Sequence, residues 1–115
     1  MFYKDENGDE VELARFTKAL GEKQDAYLDA AANKEITTSV KQYNFVKAAI
    51  VSGEYLDKRL GGKSLATIDY CELSVVCIEV ISAYQLRIIE AKQKANKLRD
   101  GLLDGINSRG FKNVK

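Results

Sequence analysis

The stretch Ile68-Asp69-Tyr70-Cys71-Glu72-Leu73-Ser74-Val75-Val76-Cys77-Ile78-Glu79-Val80-Ile81-Ser82-Ala83-Tyr84 decides the fold. Asp69 offers an N-cap oxygen, Glu72 follows three residues later as in a capping box, and Ile68 is placed to staple onto Leu73. A helix therefore starts here. From Cys71 to Ile89 it is apolar on nearly all sides, which predicts a core helix surrounded by neighbours, with Leu73, Val76, Val80 and Ile81 at its centre. Further on the apolar surface narrows to a seam. Cys77, Ile81, Tyr84, Ile88, Ala91, Ala95, Leu98 and Leu102 step alternately by four and three, the spacing that suits a partner helix.

Taken over residues 69–100 this third helix is roughly 45 Å long, whereas a compact domain of this size has a radius of gyration of about 13 Å. Its far end is expected to project beyond the core or to lie along a second subunit. Gly101, Gly105 and Gly110 then predict a loose, fraying basic tail over 101–115 carrying Arg109, Lys112 and Lys115.

Working back toward the N-terminus, Gly61-Gly62 supplies the left-handed residue that ends helices, and Thr37, Thr38 and Ser39 supply capping oxygens. These bracket a second helix over 38–60, whose stripe is Val40, Tyr43, Val46, Ala49, Ile50, Leu56 and Leu60, with room for a kink at Ser52-Gly53. A first amphipathic helix over 14–32 is read from Leu13, Phe16, Leu20, Tyr27, Leu28 and Ala31, with a bend at Gly21 and a stop at Asn33. Before it, Asn7-Gly8 is the dipeptide that most easily makes a type I′ turn. A hairpin over 1–13 centred there pairs Lys4 with Val11 and Phe2 with Leu13, and sets Asp5 against Glu10, a like-charge pair that weakens it. The competing reading is a short strand running straight into the helix. The expected fold is thus mainly α: an N-terminal hairpin or short strand, then a three-helix bundle with a long C-terminal helix, all in a single domain.

With 115 residues, 45% apolar and 30% charged, the chain has the balance of an ordinary globular domain. The absence of proline permits long helices. The net charge of +1 hides a gradient, acidic over residues 1–35 and basic from 85 onward. No signal-peptide pattern opens the chain, and Glu79 and Arg87 interrupt its longest apolar run, so a cytoplasmic, non-membrane protein is expected. Cys71 and Cys77 lie six apart on one helix and cannot bridge each other, so they read as small buried hydrophobes.

The chain has no histidine, which removes the usual neutral-pH general base and the commonest metal ligand, and no enzyme activity is expected. Gly62-Lys63-Ser64 resembles the end of a P-loop, but that motif needs glycine where Asp57 stands. Asp5, Asn7 and Asp9 imitate the start of an EF-hand loop, but Glu10 and Phe16 occupy its glycine and glutamate positions. No cofactor, nucleotide or metal is expected. The other carboxylates read as solvated surface, and Tyr27, Tyr43 and Tyr84 as core. What remains is interaction: Tyr55 and Tyr70 as interface aromatics, and Ala91, Ala95, Leu98 and Leu102 edged by Lys92, Lys94, Lys97 and Arg99 as a protein-binding stripe.

A family resemblance joins these motifs. The acidic Asn-Gly opening, the Val11-Glu12-Leu13 start, Tyr55-Leu56-Asp57-Lys58-Arg59-Leu60-Gly61-Gly62, Ile68-Asp69, Glu72-Leu73 and Ile81-Ser82-Ala83-Tyr84 together resemble small tail assembly chaperones of siphophages from Gram-positive hosts, over residues 2–90. In that family a proline soon after the Ala-Tyr pair ends the helix; here Gln85 and Leu86 follow. The resemblance implies a non-catalytic protein in the host cytoplasm that coats the tape-measure protein and recruits tail-tube subunits, often as the shorter partner of a frameshifted longer form. A homo-oligomer contact, or the docking of a helical partner, is expected through the C-terminal seam, the alternative being a bend at Gly101 that folds the helix back on its own domain. Two alternatives share this size and composition: a small helical inhibitor of a host or defence enzyme, and a nucleic-acid-binding module using the basic end.

Overall fold

A computed structural model describes residues 1–109, with side chains through Ile106. It is mainly helical, with a two-stranded antiparallel hairpin and four helices. In chain order these are β1 (Phe2–Lys4), β2 (Glu10–Glu12), α1 (Lys18–Ala32), α2 (Thr38–Ala49), α3 (Gly53–Leu60) and α4 (Tyr70–Arg109). Contacts group the chain into two compact units, Met1–Ala83 and Tyr84–Lys115.

The hairpin forms one register away from the expected one. Phe2 faces Glu12, Tyr3 faces Val11 and Lys4 faces Glu10. Gly8 alone takes a left-handed φ of 85° in this turn. The Asp5 amide donates to the Asp9 carbonyl at 2.9 Å, and the Gly8 amide to the Asp5 carbonyl at 3.0 Å. These bonds enclose a three-residue loop with glycine at its left-handed position, in place of the two-residue I′ turn. The Asp5 carboxylate decides between them, because its Oδ1 accepts from the amides of Asn7 and Asp9, both at 2.9 Å. A one-residue slip exchanges faces. Phe2 consequently points outward, 59% exposed, while Val11 and Leu13 are buried.

Beyond β2 the chain stays extended. Leu13 bridges Ile50, the Ala14 amide donates to the Ala49 carbonyl at 2.8 Å, and the Val51 amide donates to the Glu12 carbonyl at 3.1 Å. This pairing delays α1 to Lys18, capped by Thr17 Oγ1 on the Leu20 amide. It also breaks the expected 38–60 helix in two, since Ile50 must be extended (φ −87°, ψ 121°) to pair. Ser52 then caps α3 through the Tyr55 amide. Gly61, at φ 76°, ends α3 as expected.

α1 and α2 pack on each other. α1 buries Leu20, Gln24 and Ala30, while Leu28 and Ala31 of its expected stripe are exposed. α2 buries Tyr43, Phe45, Val46 and Ala49, with Val40 exposed. Phe45 entered the core without belonging to the sequence stripe, because a packed helix covers a face wider than one row.

α4 starts where Asp69 predicts: its Oδ1 accepts from the amides of Cys71 and Glu72 at 2.8 and 3.2 Å. Its first half buries a single stripe, Leu73, Val76, Cys77, Val80 and Tyr84. The expectation of burial on all sides fails, since Ile78 is 65% exposed and Tyr70, Leu86 and Ile89 are also exposed. Cys71 is exposed too, and only Cys77 is the buried hydrophobe expected of both. The helix continues through Gly101 and Gly105 to Arg109, where a loosened chain was expected. Each glycine costs such a helix about 1 kcal/mol relative to alanine, too little to stop it between good helix formers. Gly110, Lys112 and Lys115 of the expected tail lie outside the described residues.

Candidate functional site

Two features qualify as sites, one in each unit. In the first unit α3 is amphipathic, and its i, i+4 pair Tyr55 and Arg59 faces the hairpin loop. Arg59 has only 5% of its side chain exposed and Asp5 none. Nη1 of Arg59 donates to Asp5 Oδ2 at 3.2 Å and to the Tyr55 hydroxyl at 3.0 Å. The Tyr55 hydroxyl in turn donates to Asp5 Oδ2. Nε donates to Glu72 Oε2 at 3.0 Å and Nη2 to Glu6 Oε1 at 3.2 Å. Glu79 Oε1 stands 3.1 Å from Nη1 as an ion pair without a directed hydrogen bond, and Glu79 Oε2 accepts from the Glu6 amide at 2.7 Å. One guanidinium thus ties the hairpin loop, α3 and the start of α4 together. It also takes Glu72 from the reciprocal half of the capping box, so the Asp69 amide donates instead to the Leu60 carbonyl at 2.8 Å.

Charge states follow from these contacts. Burial works to raise the Asp5 carboxyl, but the bonds from Tyr55, Asp9 and Asn7 and the Arg59 charge outweigh it and hold the group below its ordinary value. Tyr55 is pushed up to about 12 by burial and by its bond to Asp5. For Arg59, burial opposes the charge, and the bonds to Tyr55 and Glu72 overcome it and raise its pKa. Asp5 is therefore anionic, Tyr55 neutral and Arg59 cationic at neutral pH, each far from the poise that general acid–base work requires. A cavity of about 400 Å³ lined by Glu6, Asn7, Asp9, Tyr55, Lys58, Arg59 and Glu72 lies beside the cluster. Both Asp5 oxygens are already occupied, so the Asp5-Asn7-Asp9 run works as a turn. Among the described residues no group of His, Cys, Asp or Glu is arranged to hold a metal ion.

The second feature belongs to α4 alone. From Ala91 to Leu102 every side chain is exposed, including Ala91, Ala95, Leu98 (66%) and Leu102 (64%). Ile106, 42% exposed, lies one position past the next seam step and widens the stripe. Lys92, Lys94, Lys97 and Arg99 are exposed as well, and among the described residues no ion pair involves them. Arg99 donates to Asn96 Oδ1, at 3.2 Å along the same helix.

Of the residues chosen from sequence, seven share this helical face and its edges, Ala91, Ala95, Leu98, Leu102, Lys92, Lys94 and Arg99, while Lys97 projects from the far side of the helix. Tyr55 and Tyr70 belong to the first unit: Tyr55 is held in the arginine cluster, and Tyr70 is a half-exposed ring at the first position of α4. Asp5, Glu79 and Arg59 were missed as a cluster: Asp5 reads from sequence as part of a turn, Glu79 as solvated surface, and Arg59 only as part of the resemblance motif. Arg59 and Asp5 are 54 residues apart, and no spacing rule connects them. No family model, no curated protein and no solved structure matches the chain. Among the described residues no helix is long and apolar enough to cross a membrane.

Proposed function

We propose that this protein is a non-catalytic assembly protein that binds a helical segment of another protein along α4. The observation that supports this is the uncovered seam. A helix whose apolar stripe faces water gains most of its stability only when that stripe is covered. The heptad spacing of Ile88, Ala91, Ala95, Leu98 and Leu102 fits a helix better than a small ligand, and the two alanines admit a close backbone approach.

The resemblance to siphophage tail assembly chaperones supplies the partners: tape-measure and tail-tube proteins in the cytoplasm of a Gram-positive host. The test is co-expression of the full chain with tape-measure and tail-tube proteins of such a phage, followed by co-purification. Co-purification that Leu98→Glu abolishes is the expected result. Its absence, with a folded chain, refutes the tail-assembly reading.

A second reading has one observation in its favour: Lys92, Lys94, Lys97 and Arg99 are exposed and make no ion pair among the described residues, so they are free to neutralise phosphates. Affinity for duplex DNA that falls steeply with salt identifies that function.

A further inference from the structure

The seam carries more information than its apolar residues. Numbering it as heptads places Ile88, Ala95 and Leu102 at a and Ala91 and Leu98 at d. The positions bordering such a seam are then Arg87 and Lys94 at g, and Lys92 and Arg99 at e. All four are basic. The acidic residues of the same stretch, Glu90, Asp100 and Asp104, fall at c, f and c, away from the border. Every charged side chain on the border is basic and every acidic one lies off it, where Lys97, at c, is the one basic residue of the stretch.

Bordering charges choose the partner of a coiled coil. In a parallel pair of identical helices, each g residue meets the e residue of the next heptad across the interface. Arg87 would then face the partner's Lys92, and Lys94 the partner's Arg99. In an antiparallel pair e faces e and g faces g, again basic against basic. Packing alone would tolerate self-pairing, because an antiparallel register can set Ala91 against Leu102 and Ala95 against Leu98. Charge is what discriminates, through repulsion whenever α4 pairs with α4 of a second copy and attraction for an acidic-bordered helix.

We infer that α4 selects a heterotypic partner, an amphipathic helix of another protein with acidic residues bordering its apolar stripe, and that the same basic border keeps copies of this chain from pairing through it. Of the two occupants expected from sequence, a second copy and a helical partner, the border charges favour the partner. The partner faces Ala91 and Ala95 with large apolar side chains, filling the space that two small residues leave. This inference rests on the protein-binding reading of α4 but not on the phage assignment.

The test uses the full chain and two synthetic four-heptad peptides with identical Ile and Leu seams, one with glutamate and one with lysine at every e and g position. Binding is read by fluorescence anisotropy at low and high salt, and self-association by analytical ultracentrifugation. The chain should be monomeric and bind the glutamate peptide about tenfold or more tighter than the lysine peptide, with the difference shrinking in high salt. A fourfold variant, Arg87→Glu, Lys92→Glu, Lys94→Glu and Arg99→Glu, changes only exposed positions and should reverse the preference. Equal affinity for both peptides, or binding to neither, overturns the inference. So does a wild-type dimer that Leu98→Glu dissociates, or duplex DNA binding tighter than the glutamate peptide. Failed co-purification with tail proteins beside intact peptide selectivity would remove the phage assignment and leave the inference standing.

Discussion

Replacing Arg59 by methionine should destabilise the first unit by about 3–5 kcal/mol, the range for removing one member of a buried ion pair. The structure says which contacts supply that loss. Glu6 and Glu72 are 52% and 36% exposed, and pairs of that kind contribute at most about 1 kcal/mol each. The Asp5 side chain is fully buried and Glu79 is 16% exposed, so water cannot take over for the missing guanidinium. Asp5 would keep its bonds to Asn7, Asp9 and Tyr55, which limits the loss to one uncompensated charge. A drop of 3 kcal/mol corresponds to about 12 °C or more in Tm for a unit of this size. Near-UV circular dichroism in urea is the appropriate assay, since five of the six tyrosines lie in Met1–Ala83 while the helical signal of α4 extends past it. The double variant Arg59→Met with Asp5→Asn should recover part of the loss, because the orphaned charge is gone. A single variant within about 1 kcal/mol of the parent would refute the claim that this cluster clasps the hairpin to α3 and α4.

Three other outcomes are expected. Because the Asp5 carboxyl sits below its ordinary 3.8, its stabilisation is complete above that value and is lost as pH falls through the lower native one. Acid unfolding of the first unit below about pH 4 should therefore be shallower in Asp5→Asn, as followed by near-UV signal against pH. Burial pushes the Cys77 thiol up to about 11 while Cys71 is exposed, so a thiol reagent at pH 8 should label one cysteine rapidly and the second only in denaturant. Mass spectrometry of Cys71→Ser, expected to stay unlabelled when native, checks the assignment. Lys34 ends α1 with a φ of 53°, and the amides of Lys34 and Glu35 donate to the carbonyls of Ala31 and Ala30 at 3.2 and 2.9 Å. That is a Schellman cap with a side chain where glycine is preferred, so Lys34→Gly should raise stability by about 1 kcal/mol in urea titration.

Residues close in sequence determined the local features of this protein. Asp69 capped α4 because its oxygen reaches amides two and three residues away, and Gly61 ended α3 because a left-handed residue costs glycine little. The three-and-four spacing from Ile88 to Leu102 marked the exposed face, since helical periodicity needs no partner to be read. Tertiary structure decided what depended on a distant atom. The turn at Asn7-Gly8 had two admissible loops, and the choice followed from Asp5, whose carboxylate is bound from 50 and 54 residues away by Tyr55 and Arg59. The break at Ile50 came from pairing with Leu13, two residues before the Ser52-Gly53 kink that the sequence allowed. The one-sided burial of α4 lay equally beyond its own residues. Within Met1–Ala83, Val75 and Ile78 are as apolar as Val76 and Val80, and only the packing of the other elements of that unit determines which of them leave water.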